Sequence, residues 1–159
     1  MIDESESVTE TQIDFSMLDG FEQLRAFFDG RLPGAPIADT LGLENFGGEP
    51  GAIHVELVPA HRHYNPLGTV HGGVMATLLD TAAACSVHST LVPGESYTSV
   101  DLNVKFLRPV TTDSGRLRAE GSVLQRGRRT ALAQAHLYDA QRRLVAHATS
   151  TCMIFPADD

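Results

Sequence analysis

The feature that most constrains how this chain folds is an apolar segment in its middle, which predicts a helix over residues 72–89. The segment is rich in Ala and Leu, begins at a Gly-Gly pair and stops before a Pro-Gly pair. Because it is apolar on nearly every side, we expect most of its surface to be buried. Its few polar residues include Thr77, Asp80 and Thr81, which the helical repeat places on one stripe.

Alternation of apolar and polar residues predicts β-strands on both sides of this helix. The candidate strands are residues 41–46, 52–58, 99–106, 117–123, 130–138 and 144–155. The last four are consecutive and joined by short connections, so they predict an antiparallel meander. One apolar helix and one curved sheet together predict an α+β fold in which the sheet wraps around the helix.

The composition predicts a single domain with a tail. A chain of 159 residues, 42% of them hydrophobic, can build a core without disulfides or structural metals. Residues 1–18 are rich in Asp, Glu, Ser and Thr and predict a flexible acidic tail, which leaves residues 19–159 as the domain. A short helix is predicted over residues 21–29, with Asp19 as its N-cap.

The charge balance excludes several classes of partner. Asp and Glu outnumber Lys and Arg by 20 to 12, a formal net charge of −8, so no nucleic-acid partner is expected. No apolar run is long enough to span a bilayer, and the acidic N-terminus does not resemble a targeting signal. Cys85 and Cys152 are expected to be reduced thiols. These features predict a cytoplasmic protein without a membrane partner.

The candidate chemistry lies at the start and middle of the predicted helix. A carboxylate at Asp80 is costly to bury on an apolar helix, and Gly72-Gly73 places free N–H groups where the helix begins. Such an N-terminus can hold a developing oxyanion. Eight residues separate Gly72 from Asp80, which is roughly 12 Å along a helix. One reacting carbonyl cannot touch both, so either the two groups do not act together or they come from two copies of the chain. We expect the second, a homodimer in which two chains contribute to each site.

Other kinds of site are poorly supported by the sequence. His61, His63 and His71 are close in sequence, but no cysteine or carboxylate ligands follow at matching spacing, so no metal is expected. A Ser-hydrolase elbow, a phosphate-binding loop and a dinucleotide fingerprint are all absent.

One stretch of sequence resembles a known family. The HGG at residues 71–73 and the LLD that ends at Asp80, with Asn65-Pro66 upstream and SVDLN at residues 99–103 downstream, resemble the hotdog-fold acyl-CoA thioesterases. The similarity is to the PaaI-type and THEM-type branch of the 4-hydroxybenzoyl-CoA thioesterase superfamily, and it covers residues 38–155.

The resemblance implies a fold, an assembly and a set of catalytic residues. It implies a hotdog fold that forms homodimers or dimers of dimers, and an acyl-CoA substrate whose coenzyme A is not a separate cofactor. It implies that Asp80 is the general base or nucleophile, and that the Gly72 N–H polarises the thioester carbonyl. It further implies that Asn65 contacts the thioester or water, that His71 supports the loop, and that Ser99 helps to orient the water.

Several further residues are candidates for binding the substrate. Arg108, Arg128 and Arg129 lie near predicted strand ends, and guanidinium groups suit the phosphates of coenzyme A. Gly73 and Thr81 are further candidate contacts. The wall of the acyl pocket is predicted to include Leu67, Leu78, Leu79 and Ala83.

The expected activity is hydrolysis of a small aromatic or a short- to medium-chain acyl-CoA. Two alternatives remain. A non-catalytic acyl-CoA sensor of the same fold would bind the ester without releasing thiol. A hotdog hydratase would be expected to carry a PVMPG-type loop, which this sequence lacks.

Overall fold

The computed structural model describes residues 14–157. The predicted acidic tail therefore lies mostly outside the described residues, and Phe15–Met17 forms a short 3-10 turn. The helices are α1 (Gly20–Phe28), α2 (Pro36–Leu41) and α3 (Gly72–His88). The strands are β1 (Leu43–Glu49), β2 (Ala52–Leu57), β3 (Ser96–Ser99), β4 (Asn103–Phe106), β5 (Leu117–Arg126), β6 (Thr130–Tyr138) and β7 (Leu144–Phe155).

The strands form one antiparallel sheet in the order β1-β2-β5-β6-β7-β3, and β4 also pairs with β7. Helix α3 lies against the inner face of this sheet and contacts β2, β5, β6 and β7. Its Leu78, Leu79, Ala82, Ala83 and Val87 are fully buried. This arrangement confirms the predicted α+β architecture, a sheet wrapped around a long central helix. It also confirms α3 to within one residue of its predicted end.

Close packing of α3 on β5 fixes where the polar stripe of the helix lies. A Cβ at Gly121 would lie 2.1 Å from the Ala82 carbonyl oxygen, so only glycine permits this approach. The buried Ser86 hydroxyl donates to that same carbonyl and accepts from the Ile53 N–H of β2. These contacts hold the middle of α3 in one register on the sheet.

The first predicted strand is wrong at its start. Residues 36–41 form α2, which begins at Pro36 and ends where Gly42 takes a left-handed φ of 78°. Proline at the first helical position and glycine just past the last one are typical helix boundaries. Strand β1 therefore begins at Leu43 rather than at Leu41 and continues to Glu49.

The strand predicted over residues 99–106 is also wrong, because it is two short strands. The Asp101 side chain accepts a hydrogen bond from the Thr151 N–H of β7, and the Asp101 carbonyl accepts one from the Ser150 hydroxyl. Asp101 thus interrupts the regular pairing with β7 at the point between β3 and β4. Both strands lie beside β7, so the meander consists of β5, β6 and β7 alone.

The predicted first helix is confirmed. Helix α1 has the expected Asp19 N-cap, which is completed by Glu22 in a reciprocal capping box. Gln23 accepts a hydrogen bond from the His88 ring at 2.8 Å, which links α1 to the C-terminal end of α3. Within residues 14–157, no helix combines the length and apolarity needed to cross a membrane.

Candidate active site

Asp80 faces a cavity of about 710 Å³ that lies between α3 and the N-terminal helices. Thr81, Ala84 and Cys85 of α3 share this wall. The other lining residues come from α1, α2, the loop between them, and strands β1 and β3. Asp80 and Thr81 of the polar stripe predicted on α3 therefore face a ligand-sized space, whereas Thr77 does not line it.

The Asp80 carboxylate has few hydrogen-bond partners in the protein. Its Oδ1 atom is buried, and no described residue provides it with a hydrogen bond. Burial raises the pKa of Asp80 above its ordinary value, and the nearby Ser99 hydroxyl partly opposes this rise. Buried polar atoms are almost always paired, so this unpaired carboxylate oxygen marks Asp80 as a candidate functional group beside the cavity.

Two other ionisable groups beside Asp80 are kept protonated. Burial, together with the neighbouring Asp80 charge, raises the pKa of the Cys85 thiol to about 12. Burial also raises the pKa of Tyr97, with Cys85 and Cys152 adding to the effect. A thiol attacks as its thiolate, so Cys85 is not activated as a nucleophile here. Among the described residues that line this cavity, Asp80 is the one carboxylate.

The N-terminus of α3 presents one free donor. The His71 side chain caps the helix, because its Nδ1 accepts from the Gly73 N–H at 2.8 Å. The Val74 and Met75 N–H groups bond to the His71 carbonyl. In the described part of the chain, the Gly72 N–H has no acceptor. The cap therefore leaves the Gly72 N–H, and not the Gly73 N–H, as the free donor at this end of the helix.

Asn65 is engaged in its own loop. Its side-chain oxygen accepts from the Leu67 and Thr69 N–H groups, and its amide donates to the Thr69 hydroxyl. These bonds shape the turn that carries the chain into α3. Asn65, Gly72 and Arg108 line a second depression of about 350 Å³. The predicted contact of Asn65 with substrate stays a prediction.

The structure divides the predicted site residues among three places in one chain. Ser99 and Thr81 lie with Asp80, whereas Asn65, His71, Gly72 and Gly73 cluster at the start of α3 with Arg108.

Arg128 and Arg129 are exposed on the turn after β5, and the preceding Arg126 bonds to Thr90 just beyond the C-terminal end of α3. That end lies about 24 Å from Gly72, because α3 has 17 residues at about 1.5 Å each. A single chain therefore does not assemble the predicted set.

The residues predicted for the pocket wall do not line this cavity. In the single chain Leu78, Leu79 and Ala83 are buried in the core, and Leu67 is 89% exposed on its loop. The cavity is instead lined by aromatic residues that the sequence analysis did not connect with the site, namely Phe27, Phe28, Phe46 and Tyr97. Phe27 and Phe28 lie within the helix predicted over residues 21–29, and their apolar side chains were the one available signal.

The histidines considered as metal ligands have other contacts. Both ring nitrogens of the buried His63 are used, one by the Ala60 N–H and one by the Leu41 carbonyl. The His71 Nδ1 is occupied by the helix cap. Over residues 14–157, no group of three or more His, Cys, Asp or Glu side chains is arranged to hold a metal ion.

Comparison with known proteins matches this geometry to a family. Residues 67–146, which contain α3 and most of the sheet, match the model of the thioesterase superfamily. The chain belongs to the thioesterase superfamily. Its fold is the hotdog fold, as the resemblance implies.

Individual members of the superfamily are similar over different lengths. A proposed thioesterase from Ralstonia eutropha JMP134, named as a phenylacetic acid degradation-related protein, is 32% identical, with a TM-score of 0.74. The match covers 81% of this chain and 97% of that one. The medium/long-chain acyl-CoA thioesterase YigI of Escherichia coli is 34% identical over 98 residues, which is 54% of this chain. A proposed esterase from Halobacterium salinarum is 35% identical over 99 residues, which is 57% of this chain. The chain spans 62% of the length of YigI and 64% of the esterase.

Proposed function

We propose that this protein hydrolyses acyl-CoA thioesters in a site that two copies of the chain build together. The observation that carries the proposal is the unpaired, buried Oδ1 of Asp80 at the edge of a cavity. A thioester needs a polarised carbonyl and a nucleophile, while its thiolate leaves readily. One carboxylate and one N–H dipole therefore form a sufficient site.

The reaction balances with the residues of this chain. Asp80 takes a proton from water, and the resulting hydroxide adds to the thioester carbon. The negative charge that develops on the carbonyl oxygen is met by the Gly72 N–H. The C–S bond then breaks, the coenzyme A thiolate leaves with the electron pair, and the proton held by Asp80 neutralises it. The products are a free acid and coenzyme A.

A second route starts from the same geometry. The Asp80 carboxylate attacks the thioester carbon itself, the C–S bond breaks, and the coenzyme A thiolate leaves with the electron pair. Water then hydrolyses the resulting mixed anhydride, which releases the free acid, restores the Asp80 carboxylate and supplies the proton that neutralises the thiolate. Single turnover in ¹⁸O-labelled water tests the covalent route, because the label enters the Asp80 carboxyl group only when water attacks the aspartyl carbon of that anhydride.

An exposed sheet edge supports the two-chain site. Strand β4 pairs with β7 on one side only, and the large apolar residues around it are exposed. These residues are Val100, Leu102, Phe106 and Leu107. An unpaired apolar edge is a ready surface for a second strand. Phe106 lies against Gly72, because a Cβ added to Gly72 would be 3.0 Å from the Phe106 ring. A second chain that binds at this edge would therefore reach the free Gly72 N–H.

The test is thiol release from a panel of acyl-CoAs, detected with a chromogenic thiol reagent, for wild type and Asp80→Asn. We expect Asp80→Asn to lose about 10²- to 10⁴-fold in kcat, because a positioned base contributes that much. The matched control is Asp113→Asn, which changes an exposed carboxylate away from the cavity and should keep wild-type turnover. Undiminished turnover in Asp80→Asn would reject Asp80 as the catalytic carboxylate. Ester binding without any thiol release by wild type would favour the sensor alternative instead.

A further inference from the structure

The side of the Asp80 cavity opposite α3 is aromatic. Phe28, at the end of α1, and Phe46, on β1, stack with ring centroids 5.3 Å apart and planes at 23°. Phe27 lies beside them in the same wall. These large apolar side chains are only partly buried, and Phe46 both lines the cavity and packs against the hydrophobic core.

Phe46 faces the cavity because β1 contains a bulge. Leu43 is buried, so regular alternation would turn residue 45 inward and residue 46 outward. The pairing of β1 with β2 shifts register between Glu44 and Gly47, which inserts an extra residue and reverses the alternation. The bulge therefore directs the Phe46 ring into the cavity.

Asn45 holds this bulge. Its backbone takes a left-handed φ of 51°, a region in which asparagine is one of the better tolerated residues. Its side-chain amide donates to Glu56 Oε2 of β2 at 2.7 Å. Glu56 is also paired with the Arg118 guanidinium at 2.8 Å, so the acceptor is itself held in place. A strained residue with a fixed side chain beside a cavity indicates a functional constraint.

The wall provides no partner for a charged acyl group. Among the described residues that line the cavity, none is Lys, Arg or His, and Asp80 is the one carboxylate. A carboxylate carried by the acyl group would be unpaired there and repelled by Asp80.

We propose that the Phe28–Phe46 stack, set by the Asn45 bulge, is the acyl-specificity determinant of this protein and selects uncharged aromatic or medium-length alkyl acyl groups. This inference rests on the proposed function. Stacking favours an aromatic ring, and each methylene that enters the cavity should raise kcat/KM about fourfold, which corresponds to ~0.8 kcal/mol.

The experiment compares acetyl-, octanoyl-, benzoyl- and glutaryl-CoA. For wild type, we expect octanoyl- and benzoyl-CoA to exceed acetyl-CoA in kcat/KM, and glutaryl-CoA to fall below octanoyl-CoA. In Phe46→Ala and Phe28→Ala, the benzoyl-to-acetyl ratio of kcat/KM should fall about tenfold, mainly through KM. Phe46→Leu keeps an apolar side chain of similar bulk, so it should reduce benzoyl preference more than octanoyl preference.

Two further variants sharpen the comparison. Asn45→Gly keeps the left-handed backbone but removes the bond to Glu56, so it should lower the benzoyl-to-acetyl ratio less than Phe46→Ala does. Phe155→Ala is the matched control, because it removes a partly exposed phenylalanine near the C-terminus that does not line the cavity. It should leave all ratios unchanged.

A binding measurement distinguishes a failure of this inference from a failure of the proposed function. In an Asp80→Asn background, titration calorimetry with benzoyl-CoA should show Kd weakened about tenfold by Phe46→Ala. Unchanged ratios and an unchanged Kd in the Phe28 and Phe46 variants, or a preference for glutaryl-CoA, would overturn the inference. Absence of thiol release from every ester by wild type would overturn the proposed function alone, since the calorimetric comparison would still stand.

Discussion

At the scale of the residue, the environment of Asp80 determines what it can do. Burial on a mostly apolar helix removes part of the water around the Asp80 carboxylate, and this loss of water raises its pKa. The group still has to be ionised to act as a base or nucleophile. Ser99 is the described neighbour that lowers this pKa, and it lies on β3, 19 positions along the chain from Asp80.

The acid limb of the pH profile should report this balance. Because the Asp80 pKa is raised, kcat/KM should begin to fall at a pH above the ordinary aspartate value as the medium is acidified. Ser99→Ala removes the influence that lowers the pKa, so its acid limb should move to still higher pH. Thr98→Ala, on the exposed face of the same strand, is the control. An acid limb that stays in place in Ser99→Ala would show that Ser99 does not act on the Asp80 carboxylate.

At the scale of the element, two N–H groups in the first turn of α3 have different roles. The Gly73 N–H is used in the helix cap, and the Gly72 N–H is the proposed oxyanion donor. His71 caps the Gly73 N–H and leaves the Gly72 N–H without an acceptor. Gly72 is the first helical residue, and proline is well tolerated at that position because its missing N–H is not needed there. His71 has φ −61° and ψ 135°, a conformation that also suits a residue before proline.

Gly72→Pro should therefore remove the proposed oxyanion donor while the helix still forms. Loss of one such donor costs about 10²- to 10³-fold in kcat. The matched variant Gly72→Ala keeps the N–H and adds only a Cβ against the Phe106 ring, so it should lose much less. Thiol release measures both, and far-ultraviolet circular dichroism checks the helix. Equal losses in the two variants would mean that crowding of Phe106, and not the donor, matters.

At the scale of the whole molecule, the proposed site needs a second chain, because Asp80 and Gly72 lie too far apart along α3 to contact one carbonyl. Asp80 and Gly72 face different depressions of one chain, and the exposed β4 edge lies beside the second of them. The predicted homodimer or dimer of dimers stays a prediction. A homodimer would explain both why Asp80 and Gly72 are far apart in one chain and why the β4 edge is apolar and exposed.

Mixing two inactive variants tests the shared site. If Asp80 and Gly72 act across the interface, a heterodimer of Asp80→Asn and Gly72→Pro chains contains one intact site of two. An equal mixture unfolded and refolded together should then recover about one quarter of wild-type activity. Each variant refolded alone should stay inactive, and light scattering gives the assembly size. No recovery in a mixture shown to contain heterodimers would place the whole site within one chain.

The sequence by itself determined the features that depend on neighbouring residues. The apolar composition and spacing of residues 72–89 predicted α3, and the Asp19 cap predicted α1. The fixed rise of a helix predicted that Gly72 and Asp80 are too far apart to share a carbonyl. These conclusions hold because helical repeat, capping and side-chain burial are largely local properties.

Only the tertiary structure decided which residues meet across the molecule. Strand patterns do not specify partners, so the placement of β3 and β4 beside β7 followed from long-range hydrogen bonds, including those of Asp101. One extra residue in β1 reversed the direction of Phe46, and no periodicity rule indicated it. The aromatic wall around Asp80 arises where α1, β1 and α3 converge, because a cavity forms between elements that are distant in sequence.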